Sequence, residues 1–239
     1  MQIKVFKLLV GLLFLGQFSF GQNFNKDIIP RDNSLYIGIG PAFMYADNGG
    51  GVRNSKFKMR PAATIAYGRK VNSFLEIKGS LGYQMLESQD PSYFSDEAIR
   101  KWMEKGQALG MKGNGYYLDL MPVFSLPVAR HIDRKAVNIY AGIGLGVMVV
   151  DKEEARVINN TPVVENKTMS LTYVPIRGGI SYRIGPHSDV ALEGTMLATF
   201  SDEIDGNMGF NRFNDHLFQG QIVFKRYLST FPFWHKYFN

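Results

Sequence analysis

The sequence predicts an all-β protein, an eight-stranded antiparallel up-and-down transmembrane β-barrel with long extracellular loops and short periplasmic turns. Three observations lead there. Eight segments alternate large apolar residues with small or polar ones, the period of a strand with two unlike faces. The connections between them alternate short and long, as the two rims of an outer-membrane barrel require. An apolar leader precedes the first segment.

The leader comes first. Lys4 and Lys7 precede the apolar run from Leu8 to Phe20, which closes on Ser19-Phe20-Gly21 with small residues at the −3 and −1 positions of a signal-peptidase site. Cleavage is expected after Gly21 or Gln22. The run falls short of the ~20 apolar residues of a spanning helix, and no other stretch approaches that length. Membrane crossing would therefore have to use strands. The expected division is a signal peptide over 1–22, a periplasmic segment over 23–33, the barrel over 34–228 and an aromatic tail over 229–239. There is no cysteine, hence no disulfide and no lipid-bearing amino-terminal Cys. Taking Lys4 and Lys7 from the net charge of +6 leaves +4, scattered without a basic block, so no nucleic-acid partner is expected.

The large-residue faces, strand by strand, begin with Leu35, Ile37, Ile39, Pro41, Phe43 and Tyr45, then Pro61, Ala63, Ile65 and Tyr67. The third strand offers Leu75, Ile77, Leu81, Tyr83 and Met85, and the fourth Tyr116, Leu118, Leu120, Pro122, Phe124 and Leu126. Val137, Ile139, Ile143, Leu145, Val147 and Val149 mark the fifth, and Val174, Ile176, Ile180 and Tyr182 the sixth. Val190, Leu192, Met196 and Phe200 mark the seventh; Phe218, Ile222 and Phe224 mark the last. Short turns are expected around Val71-Asn72, from Arg130 to Lys135 and from Gly185 to Ser188. Long loops are expected from Asp47 to Lys58, Gln89 to Gly115, Asp151 to Thr168 and Ser201 to Asp215.

Alternation alone admits a soluble lipocalin-like barrel as well. The small-residue face decides between them. It is built from Gly, Ala, Thr and Met with few charges, a poor water-exposed surface but a good filling for an eight-stranded lumen. The large-residue face carries no charge in its central positions, and its aromatics gather near the strand ends, as girdles do. Inside, the charged set is Arg60, Glu76, Lys78, Asp119, Arg177, Arg183, Glu193 and Lys225. Buried charges must pair, so this set is expected to form a polar plug holding the barrel together in preference to lining a conducting pore.

No catalytic set emerges. A hydrolase needs a nucleophile, a base within reach and a group that orients the base. His187-Ser188 is only an adjacent pair in a turn, and His216 beside Asp215 is the best remaining acid/base candidate. His131 and His235 lie in a turn and in the tail. Phosphate-loop, nucleophile-elbow and zincin motifs are absent. No cofactor and no metal are expected. The acidic stretch from Ser201 to Asn207 can gather oxygen ligands for calcium, but lacks the spacing of an EF-hand, and a solvated loop is the preferred reading.

Two features read as contact surfaces. Ser95 caps a short helix from Asp96 to Met103 that places Ile99, Trp102 and Met103 on one side, with Gly106 or Gly110 as its stop. It forms a lid on the barrel mouth or a ridge for a partner. The tail offers Phe231, Phe233, Trp234, Tyr237 and Phe238 to the membrane interface or to a neighbour.

The opening Tyr36-Ile37-Gly38-Ile39-Gly40-Pro41-Ala42-Phe43-Met44-Tyr45-Ala46-Asp47 and the stretch Thr199-Phe200-Ser201-Asp202-Glu203-Ile204-Asp205-Gly206 resemble small outer-membrane barrels of Bacteroidota, most of all the PorG-like barrels of the type IX secretion system. The resemblance extends in layout over nearly the whole mature chain. The Gly49-Gly50-Gly51 loop departs from that pattern. The resemblance implies an integral outer-membrane protein with no enzymatic activity that contacts periplasmic lipoproteins. The expected role is thus an anchor or subunit of a multi-protein envelope complex, with outer-membrane lipid, lipopolysaccharide and other envelope proteins as partners. The alternatives are an autonomous ligand-binding or adhesin barrel using its extracellular loops and, less favoured, a lipid-modifying enzyme or a narrow pore.

Overall fold

The computed structural model describes residues 32–48, 57–126, 137–158, 161–207 and 214–228, apart from the side chain of Tyr93. The expected leader, the Arg130–Lys135 turn with His131, and the tail from 229 to 239 with His235 lie outside the described residues. The strands are β1 (Asn33–Tyr45), β2 (Arg60–Lys70), β3 (Leu75–Glu87), β4 (Ala108–Ser125), β5 (Val137–Ile143), β6 (Leu145–Ile158), β7 (Thr161–Arg183), β8 (Ser188–Thr199) and β9 (His216–Leu228); among the described residues one α-helix, α1 (Asp96–Glu104), precedes β4, after a single 3-10 turn at Pro91–Tyr93.

All neighbouring strands are antiparallel, and β3–β4 and β6–β7 pairings close the sheet on itself. Strands β5 and β6 are two halves of one stave of the barrel, so the ring has eight staves. The break falls at Gly144, where a Cβ would come within 2.3 Å of the Leu120 carbonyl oxygen and 2.5 Å of Met121 Cβ. Only a glycine allows the two backbones so close.

Inner and outer faces separate as the period-2 pattern demands. Ile37, Ile39, Ile65, Leu81, Leu118, Leu120, Leu145, Val147, Ile180, Leu192 and Ile222 stand exposed in a continuous belt. Water would make so large an apolar surface untenable, whereas hydrocarbon accepts it. Aromatic pairs mark the loop rim: Phe43 stacks on Phe218 at 5.1 Å and Tyr83 tilts against Tyr116 at 5.4 Å. Tyr67 and Tyr182 stand exposed toward the turn rim. The turns are tight. In the β2–β3 turn the Asn72 side-chain oxygen accepts from the amides of Phe74 and Leu75, and after β7 the amides of Ile184 and Gly185 both donate to the Ser188 carbonyl.

The loop rim differs from expectation in two places. The segment from Asp151 to Thr168 is no loop: β6 and β7 continue as a paired ribbon from Gly146↔Tyr173 out to Ile158↔Thr161. Likewise β4 begins at Ala108, well before Gly115, and pairs with β6 along its added length. Above the membrane both faces of a strand meet water or polar neighbours, so the alternation that reveals a strand in lipid fades. Pairing of β7 with β8 stops at Tyr173↔Thr199, which leaves Thr161–Leu171 with strand pairing on its β6 side only, among the described residues.

The belt makes a direct prediction. Leu120, 62% exposed on the outer face of β4 and level with Gly79 of β3, sits near mid-height. Leu120→Arg should lower unfolding stability in phospholipid vesicles by about 2–4 kcal/mol, as read from denaturant titration.

Candidate functional site

The lumen is filled from the turn rim to the mouth. Its first constraint is width. Tyrosine rings fit because glycines face them: a Cβ on Gly82 would lie 2.0 Å from the Tyr117 ring, one on Gly146 2.4 Å from Tyr173, and one on Gly179 2.6 Å from Tyr140. Each of these tyrosines is the direct cross-strand partner of its glycine. The glycine-rich face of the sequence is therefore the space into which aromatic side chains of the neighbouring strand lean.

Six of the eight expected lumen charges come together. Lys78 reaches Glu193 at 3.0 Å, and these residues sit on β3 and β8, diametrically opposite in the ring. Arg177 contacts Glu193 and Asp119 at 3.3 Å each and donates to Ser80 at 2.8 Å and Thr195 at 3.2 Å. Tyr140 and Tyr173 donate to Glu193 and Asp119. Nearer the turn rim, Lys225 pairs with Glu76 at 3.3 Å while Tyr36 donates to the same carboxylate, and both Lys78 and Lys225 lie over the Tyr36 ring. Three bases, Lys78, Arg177 and Lys225, thus face three acids, Glu76, Asp119 and Glu193. The set is electrically neutral.

The remaining two charges lie at the rims. Arg60 is at the loop end beside Glu87, which also holds Lys58. Arg183 is at the turn end, 3.9 Å from Asp189. Counting Glu87 and Asp189, the five bases of the set face five acids, although Glu87 is shared with Lys58 and Lys112. Sequence reasoning missed Glu87 and Asp189, because each lies at a strand end whose facing residue depends on register.

Above the charges come a layer of amides and an apolar layer. Tyr117 donates to Gln219, Gln219 donates to Gln84, and Gln221 donates to Thr64. Met44, Leu86, Met111, Met148, Val150, Leu197, Ile204 and Leu217 then pack across the barrel. Among the described residues, side chains thus fill the interior of the eight-stranded ring at every level.

The mouth is closed by a folded cap. Helix α1 starts at Ser95, whose hydroxyl accepts from the Ala98 amide, and ends at Gly106 with φ +63°. Trp102 is fully buried, edge-on to Phe94 at 4.9 Å, while Ile99 is half-buried and Met103 exposed. Trp102 thus anchors the helix against the protein, beside β4 and β6, while Met103 stays exposed. Inward-facing Lys152, Glu154 and Arg156 of the β6 ribbon form an ion-paired row under it, with Lys167 3.2 Å from Glu154. Lys152 donates to the Glu203 carbonyl, and Arg156 to the carbonyls of Gly106 and Gly206. Gly206 has φ +85°, and a Cβ there would strike Ala108 and Glu154, so the chain can pass only as glycine.

The expected solvated loop from Ser201 to Asn207 is instead part of this cap. Ile204, Asp205 and Asn207 are completely buried, because the β6 ribbon and β4 rise around them. Asp205 accepts from the amides of Asn48 and Asn207, and Asp215 accepts from those of Ile204 and Asp205. Burial, aided by the charge of Asp47, raises the Asp205 carboxyl to about 7; burial and the Asp205 charge raise Asp215 to about 9. His216 Nδ1 meets the Asp215 carbonyl at 3.0 Å and not its carboxylate, so the two do not form an oriented acid/base pair. Among the described residues no three His, Asp or Glu side chains stand together as a metal-ligand set.

No family model matches this sequence, and no curated protein matches it. Solved structures do. Neisserial surface protein A is 9% identical with a TM-score of 0.46, covering 82% of this chain and 97% of that one. Ail, the attachment invasion locus protein of Yersinia pestis, in complex with the heparin analogue sucrose octasulfate, is 13% identical with a TM-score of 0.44 over 82% and 97%. A major outer membrane protein of Thermus thermophilus is 12% identical with a TM-score of 0.47 over 81% and 98%.

Two outcomes follow from the site. Arg177→Met strands Asp119 and should cost about 3–5 kcal/mol in denaturant titrations, and adding Asp119→Leu should recover part of the loss. The cap should respond to pH. The folded state holds protons on Asp205 and Asp215 that the unfolded state releases near the ordinary aspartate value of 3.8. Cap stability is therefore highest below that value and falls as pH rises through about 7 and about 9, the raised values of the two groups. In metal-free buffer, amide exchange at Ile204 and Asp205, corrected for intrinsic rates, should accelerate across that window.

Proposed function

We propose that this chain is a non-enzymatic outer-membrane β-barrel that serves as a membrane anchor or subunit of a multi-protein envelope complex, with its loop rim outside the cell. The observation that carries the reading is the plugged lumen. A neutral ion-pair network, an amide layer and an apolar layer fill the ring, which leaves the barrel with surfaces to offer and no route to conduct. The belt supplies lipid contact, with phospholipid within and lipopolysaccharide around the loop rim. Against an enzyme stands the mouth, where His216 Nδ1 meets the Asp215 carbonyl and the Asp215 carboxylate accepts from the Ile204 amide, so the two are not arranged as an acid/base pair. Participation in type IX secretion is the finer form of the proposal, supported by the short motifs at Tyr36–Asp47 and Thr199–Gly206 alone.

Purification of the tagged protein in mild detergent tests the anchor reading. Co-purification of one or more envelope proteins in fixed ratio is the expected outcome, and a lone monomer counts against it. Planar bilayers should show no defined conductance steps.

The extended β6–β7 ribbon favours a second reading, an autonomous adhesin or ligand-binding barrel. A folded, protruding strand pair whose Thr161–Leu171 edge has no second strand partner among the described residues suits recognition by strand addition. In that case removal of Ala155–Val164 abolishes ligand or cell binding while the barrel still assembles.

A further inference from the structure

We propose that the buried cap at the mouth holds one calcium ion, bound between the segment at Asn48 and the segments at Asp205–Asn207 and Asp215. The acidic residues alone do not make this case; the stranded oxygens beside them do. Asn48 and Asp215 are fully buried, and each spends one side-chain atom on Asp205 and leaves the other without a hydrogen-bond partner among the described residues. The Asn48 amide nitrogen donates to the Asp205 carbonyl at 3.0 Å, so its free Oδ1 belongs to the same amide group against Asp205. Asp215 Oδ2 accepts from the Asp205 amide at 3.3 Å, so its free Oδ1 belongs to a carboxylate already docked there. Asn207, also fully buried, has both Oδ1 and Nδ2 without a partner among the described residues and donates its backbone amide to Asp205 at 2.8 Å. Three free polar side-chain ends thus belong to residues one hydrogen bond from the same aspartate. Buried oxygens of this kind cost free energy unless something meets them.

The chemistry selects the ion. Asp47 and Asp202 add negative field, felt by Asp205 and Asp215 respectively, and Lys152 opposes it while being held by Glu154 and the Glu203 carbonyl. A cation relieves this field without asking either aspartate to keep a proton. The oxygens without a hydrogen-bond partner among the described residues are one Asp215 carboxylate oxygen and the Asn48 and Asn207 amide oxygens, which would give a cation an all-oxygen, irregular shell. Calcium accepts such a set and completes it with water; magnesium demands near-ideal octahedral geometry, and zinc prefers nitrogen and sulfur. The ion would tie the chain after β1 to the chain before β9 across the mouth.

The test uses the full-length protein in detergent micelles at pH 7.5 after treatment with a chelator. Calorimetric titration with calcium chloride should reveal one saturable site in the roughly 0.1–1 mM range of extracellular calcium modules, with magnesium at least about tenfold weaker. Asp215→Asn should abolish binding. Asn48→Ala, which leaves every charge in place, should weaken it about tenfold or more and covers the case in which Asp215→Asn fails to fold. Absence of calcium binding by the wild-type protein at millimolar concentrations overturns the proposal, as does wild-type affinity in a folded Asp215→Asn or Asn48→Ala protein.

Discussion

Closure of the sheet on itself is the constraint on which everything else here depends. In hydrocarbon each backbone amide must find its partner within the protein, and only a ring without edges satisfies all of them. Eight staves set a narrow lumen. That width decides what the inner face can hold: glycine where a neighbouring tyrosine leans across, as at Gly82 beneath Tyr117, and a glycine break at Gly144 where two backbones press together. The outer face answers only to lipid and is free to be uniformly apolar.

Neutrality follows from narrowness. With no room for a counterion, every lumen charge has to be answered by another side chain, and Glu76, Asp119 and Glu193 answer Lys78, Arg177 and Lys225 one for one. Tyrosine hydroxyls and the Ser80 and Thr195 side chains supply much of the remaining hydrogen bonding. Such an interior is weak evidence for great stability, since desolvation offsets much of the attraction. Its firmer consequence is specificity of register, because a one-residue slip of β3, β4, β7, β8 or β9 would turn a charge outward into lipid.

Much of this was legible in the chain itself, for a physical reason. Between water-filled rims a strand is lipid on one side and lumen on the other, and the contrast writes a period of two into residues such as Leu75–Met85 and Val137–Val149. Where the contrast ends, so does legibility. The charged run Asp151–Arg156 looks like a loop, yet Lys152, Glu154 and Arg156 point inward in a paired strand, since both faces there are polar. Ser201–Asn207 carries three acids and reads as solvated; its burial is imposed by β4 and the β6 ribbon, which rise beyond the lipid. Individual charges could be placed on the inner face, but not their partners. Lys78 and Glu193 are separated by 115 positions, and Glu87 and Asp189 enter only through strand register.

The Lys78–Glu193 bridge has a bearing on how the barrel comes to exist. Its two residues belong to staves that never touch as neighbours, and Arg177 and Asp119 reach the same network from two further strands. A sheet assembled hairpin by hairpin can pair Arg177 with Glu193 across β7 and β8 but leaves Lys78, Asp119, Glu76 and Lys225 without their partners until it curls shut. Partly zipped forms are therefore penalised relative to both the unfolded chain and the finished ring, and the last seam, wherever it lies, brings the whole interior to balance at once. Closure is then an all-or-none event paced by contacts far apart in the chain, the kind that form slowly.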